Sequence, residues 1–227
     1  MNYTIIKNES ALREFIDWLP ELLPHEKYYL SLLARNKYLE DKSLVKGDKI
    51  SLKRFTSDKK YMFNKIKQLE IEIGAYTSGD NLPVPQESLA LYITPNPRDL
   101  VKAAKNTTKL LIDKVFADYD GYNPHSLCLS EIQKSSGTIK YFDFDFDNVE
   151  IDSCFLKLEK VINMDACTFV RTRGGFHLLV EIAKIEDKYK KSWNPAISKL
   201  GCDVKGTSNL LPVPGTTQGG FIPILYI

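Results

Sequence analysis

The chain has no uncharged apolar run approaching the roughly 20 residues that cross a bilayer, so no membrane-spanning helix is expected. Its opening, Met1 to Phe15, lacks the basic segment, apolar stretch and small-residue cleavage site of a secretory signal, and a cytoplasmic protein is expected. Cysteine is sparse: Cys128, Cys154, Cys167 and Cys202 are scattered and none forms a CxxC pair, which argues against a zinc knuckle or ribbon. Buried reduced thiols are the plain expectation, and zinc is not expected. A dominant charge sign is missing as well. Lys and Arg number 31 against 29 Asp and Glu, leaving a net charge of +2, so any nucleic-acid binding must come from local patches. No glycine-rich phosphate loop ending in Gly-Lys-Ser or Gly-Lys-Thr is present, so any duplex unwinding falls to a separate helicase.

What is present is enough for one large domain or two small ones, since 227 residues can bury a sizeable core. Leu12, Phe15, Ile16 and Leu19, then Tyr29, Leu30, Leu32 and Leu33, recur at helical spacing broken near Pro20 and Pro24. They predict a helical N-terminal region over 1–85. Between Lys37 and Lys67 the chain is basic, with Tyr38, Phe55, Tyr61 and Phe63 interleaved. That pattern suits either a surface gripping a nucleic-acid backbone or a solvated helical face. Residues 88–94 read as a strand, 96–98 as its turn and 99–116 as a helix opening on an acid.

From residue 138 the rhythm is regular: a strand over 138–146, a helix over 150–163, strands over 167–171 and 175–182, a helix over 187–200 and a strand over 202–204. This order predicts an α+β protein with the split βαβ sheet of ferredoxin-like and RNA-recognition-like folds.

The chemistry concentrates in the same segment. Asp143, Asp145 and Asp147 alternate with Phe142, Phe144 and Phe146, so in a strand the three carboxylates share one face. Three such groups repel one another by several kcal/mol unless a cation intervenes. A hard divalent ion such as magnesium, manganese or calcium fits that need; a solvated acidic edge strand is the alternative. Next, Thr172 to His177 forms a glycine turn that delivers a histidine to the following strand. There Gly175, Arg173 and His177 suit phosphate contact, while a purely structural histidine is the alternative. Asp203, on a short strand, can reach the same sheet face or serve as a turn residue.

These three pieces, in this order, resemble the archaeo-eukaryotic primase superfamily, whose first motif is a pair of acids in a hydrophobic strand. Asp143 and Asp145 match that pair. In the second motif a histidine follows a small hydroxyl residue by two, with a basic residue two further back; Arg173, Gly175 and His177 occupy those places, glycine standing where serine is usual. Asp203 matches the third motif, and Pro214 to Thr216 resembles a loop of the smaller members, with Leu210 and Leu211 near where an arginine is common. The resemblance implies an RNA-recognition-like catalytic sheet within a core of 86–227, packed beside a second α/β unit drawn from 86–137, with 1–85 as a basic, helical accessory region. It implies two magnesium or manganese ions held by Asp143, Asp145 and Asp203. His177, Arg173, Gly175, Lys205 and Arg98 are then expected around a nucleoside triphosphate, and single-stranded DNA is the expected template. The implied activity is DNA-templated nucleotidyl transfer of the primase or primase-polymerase type, suited to a phage or plasmid. A DNA-binding replication module on a decayed primase core and a metal-dependent nuclease are the alternatives.

Overall fold

A computed structural model describes residues 1–78, 82–115 and 123–227. In chain order the elements are α1 (Glu9–Trp18), β1 (Glu26–Arg35), β2 (Lys49–Ser57), α2 (Lys59–Lys67), β3 (Leu89–Ile93), β4 (Arg98–Asp99), α3 (Leu100–Val115) and α4 (Pro124–Lys134). They continue with β5 (Tyr141–Asp147), α5 (Ile151–Leu158), β6 (Cys167–Thr172), β7 (Gly175–Glu181), α6 (Trp193–Ser198), β8 (Asp203–Gly206), β9 (Leu211–Pro212) and β10 (Ile224–Tyr226). The chain is α+β, with two antiparallel five-stranded sheets among the described residues. No helix among the described residues is long and apolar enough to cross a membrane. All four cysteines are free, Cys154 and Cys167 being buried.

The first sheet runs β2-β1-β3-β9, with β4 added beside β1. Its centre corrects the helical expectation for the N-terminal region, because Tyr29 to Leu33 lie on the strand β1. Both faces of β1 are covered: Tyr28, Leu30 and Leu32 join α1 and α2 in one core, whereas Leu33 packs with Tyr38, Ala90 and Tyr92. A strand buried on both sides carries apolar residues at successive positions, which erases the period of two. Among the described residues of this region only α1 and α2 are α-helices, α1 being capped by the Asn8 side chain on the Ala11 amide at 3.1 Å. β3 and β9 pair into the same sheet as β1 and β2, so strands from both sides of residue 85 share it. The helix α3 opens where Asp99 accepts from the Lys102 amide, and its expected end at Phe116 lies outside the described residues.

The second sheet runs β10-β6-β7-β5-β8. On β5, Phe144 and Phe146 are fully buried against Cys154 and Leu158 of α5 and Ile197 of α6, and Trp193 meets Phe142 and Phe144 edge-on. Burying each phenylalanine stabilises the fold by about 2–3 kcal/mol, which decides the face that turns inward. The aspartates of β5 are thereby turned to the opposite face.

Contacts of several kinds join the sheets. Trp18 of α1 stacks on Tyr141 with ring centres 4.7 Å apart, carrying the first core onto the second sheet. Asn96, buried in the turn after β3, uses its whole amide. It donates to the Tyr141 carbonyl at 2.7 Å and the Thr207 carbonyl at 3.0 Å, and accepts from the Lys140 and Tyr141 amides at 2.9 Å each. Asn96→Ala strands these groups and is expected to lower stability by about 3 kcal/mol, measured by urea denaturation.

Buried Glu26 of β1 similarly accepts from the Leu23 and Thr138 amides. Burial alone raises its pKa, but these hydrogen bonds, with His25 nearby, outweigh it and leave the net shift downward. A depressed folded pKa contributes stability above the unfolded value and loses it as pH falls through the folded one. The stability advantage of wild type over Glu26→Gln is therefore expected in full above the ordinary value of 4.5, and to shrink below it in denaturation curves taken against pH.

Candidate functional site

The pleat of β5 sets a gradient of depth along its acidic face. Asp143 is 2% exposed, Asp145 is half-buried and Asp147 is exposed. Strand pairing supplies the neighbours: His177 of β7 lies opposite Asp145 on one side, and Asp203 of β8 opposite it on the other. Lys205, two residues beyond Asp203, reaches back with its ammonium 3.0 Å from Asp203 Oδ2 and 3.3 Å from Asp145 Oδ2. The His177 ring stands between two aspartates, Nδ1 2.9 Å from Asp143 Oδ1 and Nε2 3.6 Å from Asp145 Oδ1. Asn209 donates to Asp143 Oδ2 at 2.7 Å.

Burial shapes the charges here. It raises the Asp145 pKa, with Asp147 adding to the rise against the opposing pull of His177 and Lys205. In His177 burial favours the neutral ring, yet the attraction and hydrogen bond of Asp143, with Asp145 behind, raise its pKa overall. Lys205 is also raised, since Asp203 and Asp145 outweigh its partial burial.

This cluster opens on a cavity of about 480 Å³ between the two sheets. One wall carries Asp145, Asp147, His177 and Lys205, and the other Arg35, Lys37, Lys49 and Tyr92. Arg35 is steadied by the Tyr92 hydroxyl, to which it donates at 3.1 Å. A larger groove of about 820 Å³ beside β6 and β10 intersperses acids with bases and contains none of these residues.

The structure thus brings together Asp143, Asp145, Asp203, His177 and Lys205, but not the other expected site residues. Arg173 lies over the Tyr38 ring, 5.1 Å from its centre, donates to the Gly219 carbonyl and lines a separate hollow. Arg98 is fully buried and donates to Ser136 Oγ at 2.9 Å and the Ser208 carbonyl at 3.1 Å; burial lowers its pKa to about 10. It braces the loop that carries Asn209. Gly175 serves the backbone: its φ is +149°, and a Cβ there would sit 1.9 Å from the Phe146 carbonyl oxygen. The loop from Pro214 to Thr216 is buried, and Gly215 packs on the first turn of α1. Arg35, Lys37, Lys49, Asn209 and Tyr92 are additions. Lys37 and Lys49 fall in the basic stretch, but Arg35 and Asn209 carry no local signal because their neighbours lie far away in sequence.

Among the described residues no group of three or more His, Cys, Asp and Glu side chains is arranged to hold a metal ion. Asp145 and Asp203 nevertheless face each other across a strand pair as hard oxygen donors, the chemistry that suits magnesium or manganese. No family model matches the chain, and neither a curated protein nor a solved structure matches it.

Because Gly175 meets the β5 backbone, Gly175→Ala is expected to destabilise the protein by roughly 3 kcal/mol, read as a lower thermal midpoint in calorimetry.

Proposed function

We propose that this chain is a DNA-templated nucleotidyltransferase of the primase or primase-polymerase type, working on nucleoside triphosphates and single-stranded DNA. The observation that carries the reading is the cavity itself: Asp145, flanked in register by His177 and Asp203, opens on a space whose opposite wall is basic. Carboxylates facing cations across one cavity suit a metal-bound polyphosphate, whose charge needs both. The strand order β8-β5-β7-β6 supports reading the second sheet as an RNA-recognition-like split βαβ unit, with the first sheet as the adjoining α/β unit.

In this reading Asp145 and Asp203 would hold divalent magnesium or manganese, with Asp147 beside Asp145 on the cavity wall. Bound there, two such ions supply alignment of a 3′ hydroxyl with an α-phosphate and neutralise the leaving pyrophosphate. The remaining work belongs to side chains. Lys205 offers its ammonium to phosphate oxygens at the acidic wall. His177 presents Nε2 from the sheet, and Arg35, Lys37 and Lys49 receive anionic substrate from the first sheet. Unwinding is assigned to a separate helicase, and the setting is cytoplasmic replication of a phage or plasmid.

A second reading, a DNA-binding replication module without synthesis, is favoured by Gly175 and Arg173. The first leaves no room for a serine side chain, and the second sits outside the cavity. The deciding experiment incubates the protein with single-stranded DNA, labelled nucleoside triphosphates and magnesium or manganese. New metal-dependent oligonucleotides are expected, falling by about a thousandfold or more in Asp145→Ala. DNA binding without product selects the second reading, and metal-dependent cutting of the DNA selects a nuclease.

A further inference from the structure

The two acids expected to form a metal-binding pair are not equivalent. Asp145 lines the cavity with Asp147, whereas Asp143 is 2% exposed and lies behind His177. Both Asp143 oxygens already have protein donors: Oδ1 accepts from His177 Nδ1 at 2.9 Å, and Oδ2 from Asn209 Nδ2 at 2.7 Å. With Nδ1 turned to Asp143, Nε2 is the ring atom directed at Asp145 and the cavity. Turning Asp143 towards an ion would strand the Asn209 amide and the imidazole inside the protein, at a cost of about 1–3 kcal/mol for each unpaired group.

The arrangement has further support behind it. Asn209 follows Thr207 and Ser208, whose carbonyls are held by buried Asn96 at 3.0 Å and buried Arg98 at 3.1 Å. The Arg98 guanidinium, well outside the cavity lining, thereby anchors the segment that orients the acid.

We propose that Asp143 is a positioning residue and not a metal ligand: with Asn209 it fixes the His177 ring so that Nε2 is directed at Asp145 and the cavity. The metal half of this statement rests on the function proposed above; the orientation of His177 does not.

Two measurements separate these halves. Nitrogen-edited NMR of the imidazole side chains, of which the chain has three, reads the His177 ring without metal. A low-field Nδ1–H resonance protected from solvent exchange is expected in the wild type. It is expected to move upfield and exchange freely in Asp143→Asn, and to change in the same direction but less in Asn209→Ala, which leaves the acid in place should the first variant fold poorly. An unchanged ring resonance in whichever variant folds overturns the proposal. Manganese binding by calorimetry, without nucleotide, then tests ligation. Asp145→Asn is expected to weaken it by roughly a hundredfold and Asp143→Asn by less than about fivefold, since only a ligating carboxylate sits in the ion's coordination shell. Equal losses in the two variants overturn the proposal. If the wild type binds no manganese, the metal reading fails and the ring resonance alone decides whether Asp143 positions His177.

Discussion

The pleat of β5 is the constraint on which the rest depends. A strand has two faces, and once Phe144 and Phe146 are committed to the core against α5 and α6, Asp143, Asp145 and Asp147 have only the other face to occupy. No local rearrangement relieves their crowding, because slipping the register by one residue would bury the acids and expose the aromatic rings. The fold answers by bringing hydrogen-bond donors and a cation to the acids: His177 from β7, the Lys205 ammonium from β8 and the Asn209 amide from the loop beyond.

The second determining feature is the approach of the first sheet. Packing of Trp18 on Tyr141 and the four hydrogen bonds of Asn96 hold the two sheets so that the acidic face of one looks across a cavity at Arg35, Lys37 and Lys49 of the other. The acidic wall alone suits a cation and the basic wall alone an anion. Together they define a site whose field changes sign over one small cavity, and that asymmetry is the physical basis for reading it as a place for a metal-bound polyphosphate.

The second half of the chain was legible where its pattern is amphipathic. The alternation in β5, the helical spacing in α5 and the turn between β6 and β7 all stand close to their expected positions, although α5 and α6 are shorter. The first half misled for a physical reason. Strand β1 lies between two neighbours with both faces covered, so its apolar residues follow one another and lose the period that would mark a strand. Arg173 and Arg98 looked like phosphate ligands because arginine commonly is; one lies on Tyr38 and the other is a buried tie between loops.

The sequence by itself determined that Asp143, Asp145 and Asp147 share a face, that Phe142, Phe144 and Phe146 oppose them, and that a glycine turn leads to His177, since these follow from a period of two and from local backbone freedom. Only the tertiary structure decided how deep each acid lies, that Asp143 is occupied by His177 and Asn209, and that Arg35 and Lys49 face Asp145 across a cavity. Those relations join residues tens to more than a hundred positions apart. Strand pairing and sheet packing bring them together, and the local pattern around each residue contains no trace of its distant partner.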